Sequence, residues 1–460
     1  MRRHIGWWLP LVTLVAAAPA SGQTPASLPQ AAVAPPNVIL PNYSTVAVGE
    51  IGSLEGNAYL ARAGDSSAAY YNPAGMTLAT KTSVSGSGGS FQTASVTPET
   101  LQKSGGSFRH IPTMTSFTLK ELFGSTNWAG GLSLSLINSW GQSVDGQRSM
   151  SSGTASERIM YSSRGEMSAW MANAGVGYTN GGKWRVGATI DGQLTEFTRN
   201  EALSSQYLTG SALNATVMQA HADAWTWHFR LSAGVQYDVR PGFRVAATMR
   251  TPGLQVLSSG SFNHEGMSNA GTTTVTASFF DPEPDIRYKL PFEFKGGAAW
   301  VGERAQVEVD VLTYTGRSPY QGIQTGEPWT IITDPGTGAT PAVTQPSLEQ
   351  GVIDPQVVVN LAVGGQVNLT SSGSWKLHGG FTTDRSPVGP ADTFFTKIHM
   401  QAFTVGVSGR TSILLGSVGL RFESGTSGEL TLRRFQDAQP LTTRLKVSNI
   451  GVVYSLALLF

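Results

Sequence analysis

Cysteine is absent from all 460 residues, which removes disulfide frameworks and thiolate metal sites together. Charge is scarce: Asp, Glu, Lys and Arg make up 13% of the chain and sum to a net +1. No basic surface therefore points to nucleic acid as a partner. The seven histidines are scattered, and there is no Gly-x-Ser-x-Gly elbow, no His-x-x-x-His pair and no clustered-carboxylate pattern. A non-enzymatic protein with neither metal nor cofactor is expected. Beyond the amino terminus, no apolar run approaches the ~20 residues of a spanning helix. The chain either stays in solution or enters a membrane as strands.

The amino terminus has its own logic. Met1-Arg2-Arg3-His4 is followed by an apolar stretch from Ile5 to Ala18 and by small residues to Gly22, the three-part layout of a secretory signal peptide. Export from the cytoplasm is expected, with 1–22 as the signal and 23–42 as a Pro- and Ala-rich leader.

What the chain has in quantity is alternation. Trp225, Trp227, Phe229, Leu231, Ala233, Val235, Tyr237 and Val239 interleave with Thr226, His228, Arg230, Ser232, Gly234, Gln236 and Asp238. Successive side chains on a strand point to opposite faces, so this stretch has one oily face and one wet face. Arg240-Pro241-Gly242 reverses the chain, and Phe243, Val245, Ala247 and Met249 resume the oily face. The same unit recurs around short turns near 124, 181, 302, 371 and 410, giving six in all. Longer polar segments separate them, roughly 94–112, 141–157, 200–215, 259–287, 316–354, 386–398 and 425–443.

Short turns on one side and long loops on the other are the habit of an outer-membrane barrel. Six short turns imply an all-β, antiparallel transmembrane barrel of about 14 strands. Tyr178, Trp184, Tyr237, Phe243, Trp300 and Trp375 lie beside the short turns, where amphipathic rings form an interfacial girdle. A soluble sandwich also alternates, but it does not need the final stretch Ile450, Val452, Tyr454, Leu456, Leu458 and Phe460. That ending is similar to the carboxyl-terminal signal read by barrel-assembly machinery, with Tyr454, Leu458 and Phe460 as its candidate residues.

A bore of this size must be wet or plugged. Residues 43–81 precede the barrel, 82–460, and offer a hatch inside its lumen. Within them Asn72-Pro73-Ala74 follows Ala68-Ala69-Tyr70-Tyr71. Pro73 fixes its backbone and lacks a donor while Asn72 bonds back locally, so a helix stops there at a defined bend.

The stretch from Asn57 to Met76 resembles the hatch of the FadL/TodX (OmpP1) family of outer-membrane transporters for long-chain fatty acids and hydrophobic compounds. Lys289-Leu290-Pro291 and the segment Phe381 to Val388 resemble the family more weakly. The specific motif covers about twenty residues, and the rest of the likeness is architectural. The 23–42 leader departs from the family plan, so no ligand contact is carried over to the mature amino terminus.

The resemblance implies passive transport of a hydrophobic or amphipathic small molecule, a fatty acid or aromatic hydrocarbon, across the bacterial outer membrane. It implies a monomer amid outer-membrane lipid and lipopolysaccharide, a gating role for Asn72, Pro73 and Ala74, and lateral exit at a kinked third strand. Gly130 and Gly131 are the candidates for that kink. A ligand carboxylate would seek a lumen cation, and Arg230, Arg244, Arg250 and Lys295 are the candidates. They belong to a lumen-facing set with Arg185, His228, Lys376 and His378, balanced by Asp191, Asp238, Glu293, Glu308, Asp310 and Asp384. Leu312, Tyr314 and Phe197 are apolar lumen positions. A general porin for polar solutes is the alternative, since a charged lumen suits it equally.

Replacing Phe460 with Ala is expected to lower the amount of heat-modifiable, assembled barrel, read by gel mobility with and without boiling. An unchanged amount removes the assembly role.

Overall fold

A computed structural model describes residues 39–43, 45–98, 107–152, 155–209, 212–336, 338–345, 351–428, 430–432 and 441–460. The expected signal peptide, 1–22, and the leader through residue 38 lie outside the described residues.

Fourteen antiparallel strands close into a barrel. They are β1 (Ser83–Pro98), β2 (Ser107–Lys120), β3 (Trp128–Ser152), β4 (Ala155–Thr179), β5 (Trp184–Thr209) and β6 (Ala212–Arg240). Next come β7, in two pieces (Phe243–Arg250 and Leu254–Ala270), and β8, also in two (Thr273–Asp281 and Glu293–Val301). The remainder are β9 (Ala305–Tyr314), β10 (Val358–Asn368), β11 (Trp375–Asp384), β12 (Ile398–Arg410), β13 (Leu414–Ser427) and β14 (Leu445–Leu459). β14 pairs with β1, Leu458 opposite Val84 and Ala457 opposite Ser85, so the barrel has no free edge at its seam.

Neighbouring residues show which face is which. Ile190 and Leu231 are 60% and 58% exposed, whereas the adjacent Asp191 and Arg230 are 0% and 3% exposed. An apolar outer belt around a polar interior is what a membrane-spanning barrel requires. Six short connections, 121–127, 180–183, 241–242, 302–304, 369–374 and 411–413, mark one rim, the same six turns that the alternation marked.

The opposite rim differs from expectation. The described residues of the polar segments 141–157 and 200–215, and much of 259–287, are strand rather than loop: β3 to β6 run 25, 25, 26 and 29 residues. Ser151 still pairs with Ser156 and Leu208 with Leu213. A spanning strand needs only ~9–11 residues, so these strands project well beyond lipid. Apolar alternation marks the lipid belt, but backbone pairing continues past it because every N–H and C=O there still needs a partner.

The described residues of 39–81 fill the bore, and most are buried. Four residues form the helix α1 (Ala68–Tyr71), and a 3-10 helix, Pro73–Leu78, follows with Pro73 at its first turn. The wall beneath is cut back to receive them. Gly177, Gly187 and Gly234 sit side by side across β4, β5 and β6. A Cβ on Gly187 would lie 2.4 Å from the Pro73 carbonyl carbon, and one on Gly234 would lie 2.1 Å from Asn72 Oδ1. A second row, Gly364 and Gly380, receives the Glu55 backbone in the same way.

Valine in place of Gly187 is expected to push the hatch off the wall while the barrel still closes, at an overpacking cost of about 1–3 kcal/mol. New protease cleavage within 39–81 and raised ion conductance in planar bilayers would report it. A protected hatch and a silent bilayer would exclude this contact as a determinant of docking.

Candidate functional site

Asn72 ties the hatch to the wall. Its Oδ1 accepts the Ala74 N–H at 3.1 Å, and its Nδ2 donates to Leu60 O at 3.2 Å and Val235 O at 3.1 Å. One side chain therefore caps the 3-10 helix, joins two hatch segments and reaches a β6 carbonyl. Pro73 and Ala74 supply the backbone that lies on Gly187.

A buried ionic chain holds the rest. Glu308 accepts from the Ala61 and Arg62 amides and pairs with Arg62 Nε at 2.8 Å. Arg62 also pairs with Glu55, whose other oxygen meets His378 Nδ1 at 2.7 Å, and His378 Nε2 meets Ser408 Oγ at 2.8 Å. Burial works against the Arg62 charge, but Glu55 and Glu308 outweigh it and raise the guanidinium pKa above its ordinary value. Gln236 donates to Leu60 O and Ala63 O, at 3.1 and 3.2 Å.

An acid pair lies at the other end of the hatch. Glu50 accepts a hydrogen bond from Ser66 Oγ, and Asp65 Oδ1 accepts from Ser67 N at 2.9 Å. Burial, followed by the charge of Asp65, pushes the Glu50 carboxyl up to about 8. Burial raises Asp65 as well.

Outward of the hatch lies a small cavity. Tyr43, Tyr70, Tyr288 and Tyr314 line it with Asn42 and Asn138, and the Tyr43 and Tyr314 rings stack 4.3 Å apart. Its floor carries the charges Arg230, Arg250, Glu293 and Lys295. A still smaller cavity shares Tyr70, Arg250, Glu293 and Lys295 and runs down to Ala69, Tyr71 and Pro73. An apolar layer that includes Trp140, Phe197, Phe394 and Phe395 covers the upper cavity, sharing Met167 and Leu290 with its lining.

The four lumen cations have different surroundings. Arg230 pairs with Glu293 at 2.5 Å and donates to Thr251 O at 2.8 Å and Pro291 O at 2.6 Å. Arg250 holds Asp191 at 2.9 Å and Glu293 at 3.1 Å. Lys295 has a looser pair with Glu293 at 3.6 Å and lies 5.8 Å from the Tyr70 ring centroid. Arg244 is elsewhere: it pairs with Asp238 at 2.7 Å and donates to the hatch carbonyl of Ala61 at 3.3 Å. Three cations against Glu293 and Asp191 leave an excess of positive charge at the floor of the upper cavity.

Gly130 and Gly131 do not interrupt the third strand: Gly130 pairs with Leu119 and Val176, and Gly131 with Thr118 and Gly175. At Gly131 a Cβ would lie 2.5 Å from Met76 Sδ, so this glycine makes room for the hatch. The irregularity falls further along, in a register shift between Leu136 and Asn138. Pairing of β2 with β3 ends at Met114 and Ser135, and Ile137 lines the upper cavity. Leu458 pairs with Val84 and Tyr454 with Gly88, while the Phe460 amide donates to Thr82 O at 2.9 Å, so the carboxyl terminus completes the closure.

Of the cavity's tyrosines, alternation places Tyr314 in the lumen and Tyr70 lies in the hatch stretch before Asn72, whereas Tyr43, Tyr288, Asn42 and Asn138 carry no mark in the sequence. Tyr43 and Tyr314 are far apart in the chain, and only the seated hatch brings them together.

A 14-strand barrel stoppered by its own leading segment defines the architectural class. No family model and no curated protein matches the sequence. Among solved structures the fold is similar to the P. putida toluene transporter TodX, with TM-score 0.59 and 14% identity over 90% of this chain and 99% of that one. It is also similar to a Pseudomonas aeruginosa FadL homologue, with TM-score 0.53 and 11% identity over 92% and 99%. The Ralstonia pickettii toluene transporter TbuX gives TM-score 0.51 and 13% identity over 90% and 98%.

Docking raises the Glu50 pKa, so the seated hatch is favoured while Glu50 is protonated. That contribution is complete below the ordinary carboxylate range and is lost as pH rises through about 8. Thermal unfolding in detergent is expected to show a stability loss between about pH 4.5 and about pH 8 that Glu50→Gln, with a neutral isostere, reduces. Parallel pH curves for the two proteins would exclude Glu50 as its source.

Proposed function

We propose that this protein lets a hydrophobic or amphipathic small molecule cross the bacterial outer membrane by passive diffusion, through a barrel that its hatch keeps shut at rest. The observation that carries this reading is the seated hatch beneath a tyrosine-lined cavity: it denies steady passage to ions and polar solutes but leaves a partly apolar chamber. The similarity to transporters of toluene and to a FadL homologue supports the same substrate class. A general porin fits poorly, because residues 39–81 fill the bore that it would need open.

Within that reading, Asn72, Pro73 and Ala74 act as the gate latch. Releasing Asn72 from Val235 O frees the hatch at β6 and leaves the barrel intact. Lys295, loosely paired, and Arg250 are the cations we assign to a ligand carboxylate. Arg230 we assign to holding the wall, since its donors serve Glu293, Thr251 and Pro291. Arg244 we assign to holding the hatch. The end of β2–β3 pairing beside Ile137 supports a lateral exit there rather than at Gly130 and Gly131. Residues 39–42, buried in the bore, we count with the hatch rather than the leader.

The test compares labelled oleate and toluene uptake with single-channel conductance for the purified wild type, Asn72→Ala and Lys295→Gln. We expect low wild-type conductance, uptake of at least one probe, and, in Asn72→Ala with normal barrel folding, raised conductance from the freed hatch. Lys295→Gln should weaken oleate binding by about tenfold, the size of one charge-assisted bond, and spare toluene. Large steady conductance in the wild type would favour the porin, and unchanged conductance in Asn72→Ala would remove the latch.

A further inference from the structure

We infer that the barrel wall also opens sideways at the seam between β7 and β8, by movement of the segment 285–292, giving an apolar or amphipathic ligand a second path between the cavities and the lipid. The inference rests on the transport reading above and concerns the route rather than the cargo.

The seam is interrupted at the level of the cavities. The outer pieces pair, Phe262 opposite Asp281, and the inner pieces pair, Arg250 opposite Glu293. Between them β7 breaks at Thr251-Pro252-Gly253 and β8 breaks over 282–292, with no ladder rungs joining the two stretches. Pro252, Pro282, Pro284 and Pro291 have no N–H to offer one. Among the described residues, one backbone bond spans the gap, from Gly253 N to Leu290 O at a long 3.4 Å.

Lipid cannot satisfy the backbone groups left over, and lumen side chains do it instead. Gln255 donates to Ile286 O at 2.7 Å and accepts the Tyr288 amide at 3.0 Å. His228 Nε2 reaches Tyr288 O at 2.6 Å, Arg317 reaches Leu290 O at 3.3 Å and Arg230 reaches Pro291 O at 2.6 Å. Asp285 and Ile286 pair with the external strand Tyr320–Gln324, so the segment belongs as much to the outer loops as to the wall. By contrast, the β5–β6 rungs run without a break from Trp184 opposite Tyr237 to Thr209 opposite Ala212. A stretch held by side chains moves without unzipping a ladder.

Both sides of the seam are apolar. Outside, Met249, Leu254 and Phe294 are 53%, 67% and 50% exposed, which places the gap within the oily belt. Inside, Leu290 is buried and lines the upper cavity. The Leu290 side chain fills the hole left by Gly253, where a Cβ would lie 3.0 Å from Leu290 Cβ. Swinging Leu290 away joins the cavity to the bilayer.

Because the chain has no cysteine, Gly253→Cys with Leu290→Cys can be oxidised across the seam without competing thiols. Oxidation of this pair should lower oleate or toluene uptake by about twofold, the share of one of two parallel paths, with recovery in dithiothreitol, as expected for a locked gate. A control pair in regular ladder, Val245→Cys with Ala298→Cys, should transport equally in both redox states. Equal uptake by oxidised and reduced Gly253→Cys/Leu290→Cys would overturn the inference and leave the transport reading standing. Absence of uptake by the wild type would instead count against the transport reading. Hydrogen exchange on the wild-type protein tests the seam independently: amides of 285–292 should exchange faster than those of Glu293–Val301, and equal protection would overturn it.

Discussion

Lipid offers no hydrogen bonds, so every backbone N–H and C=O inside the membrane must find its partner within the protein. The closure of β14 onto β1 meets that demand for the sheet as a whole. Two consequences follow from it. The bore of a 14-strand barrel is too wide for wall side chains alone to fill. Wherever the ladder lapses, at the β7–β8 seam above all, side chains must stand in for rungs.

The hatch answers the first consequence. It packs by close backbone approach on glycine rows and by a buried ionic chain, Glu55, Arg62 and Glu308, with His378 hydrogen-bonded to Glu55. Burying these charges is costly, and each stays because its partner and hydrogen bonds are in place. Such a network is specific without being strongly net stabilising. That combination suits a plug that must seat in one register and still come away. The lapsed seam and the end of β2–β3 pairing beside Ile137 answer the second, since a wall segment bonded by side chains stays intact while free to shift.

Much of the fold was legible because it repeats. Alternation around Arg240-Pro241-Gly242 assigned Arg230 and Arg250 to the lumen and Leu231 to the lipid, the repeat around Asn180-Gly181-Gly182 assigned Asp191 and Ile190 likewise, and their burial agrees. The short turns were legible because Gly and Pro punctuate them. The length of β3 to β6 was not, since a strand above the membrane has no oily face to betray it. At Gly131 the sequence pointed to a kink, whereas the structure shows a glycine that makes way for Met76. A glycine in a strand reads alike for both.

The sequence by itself determined the class: period-two hydrophobicity, a 14-strand count and a leading segment whose helix stops at Asn72-Pro73 are local properties, written in adjacent residues. Only the tertiary structure decided the site. Tyr43 stacks on Tyr314, Arg62 meets Glu308 and Arg230 reaches Pro291 O, each across a long separation in the chain. Which cations are saturated and which remain loosely paired depends on those meetings. A lumen-facing charge reads the same in sequence whether its partner stands opposite or not, because partner distance is set by closing the barrel and seating the hatch.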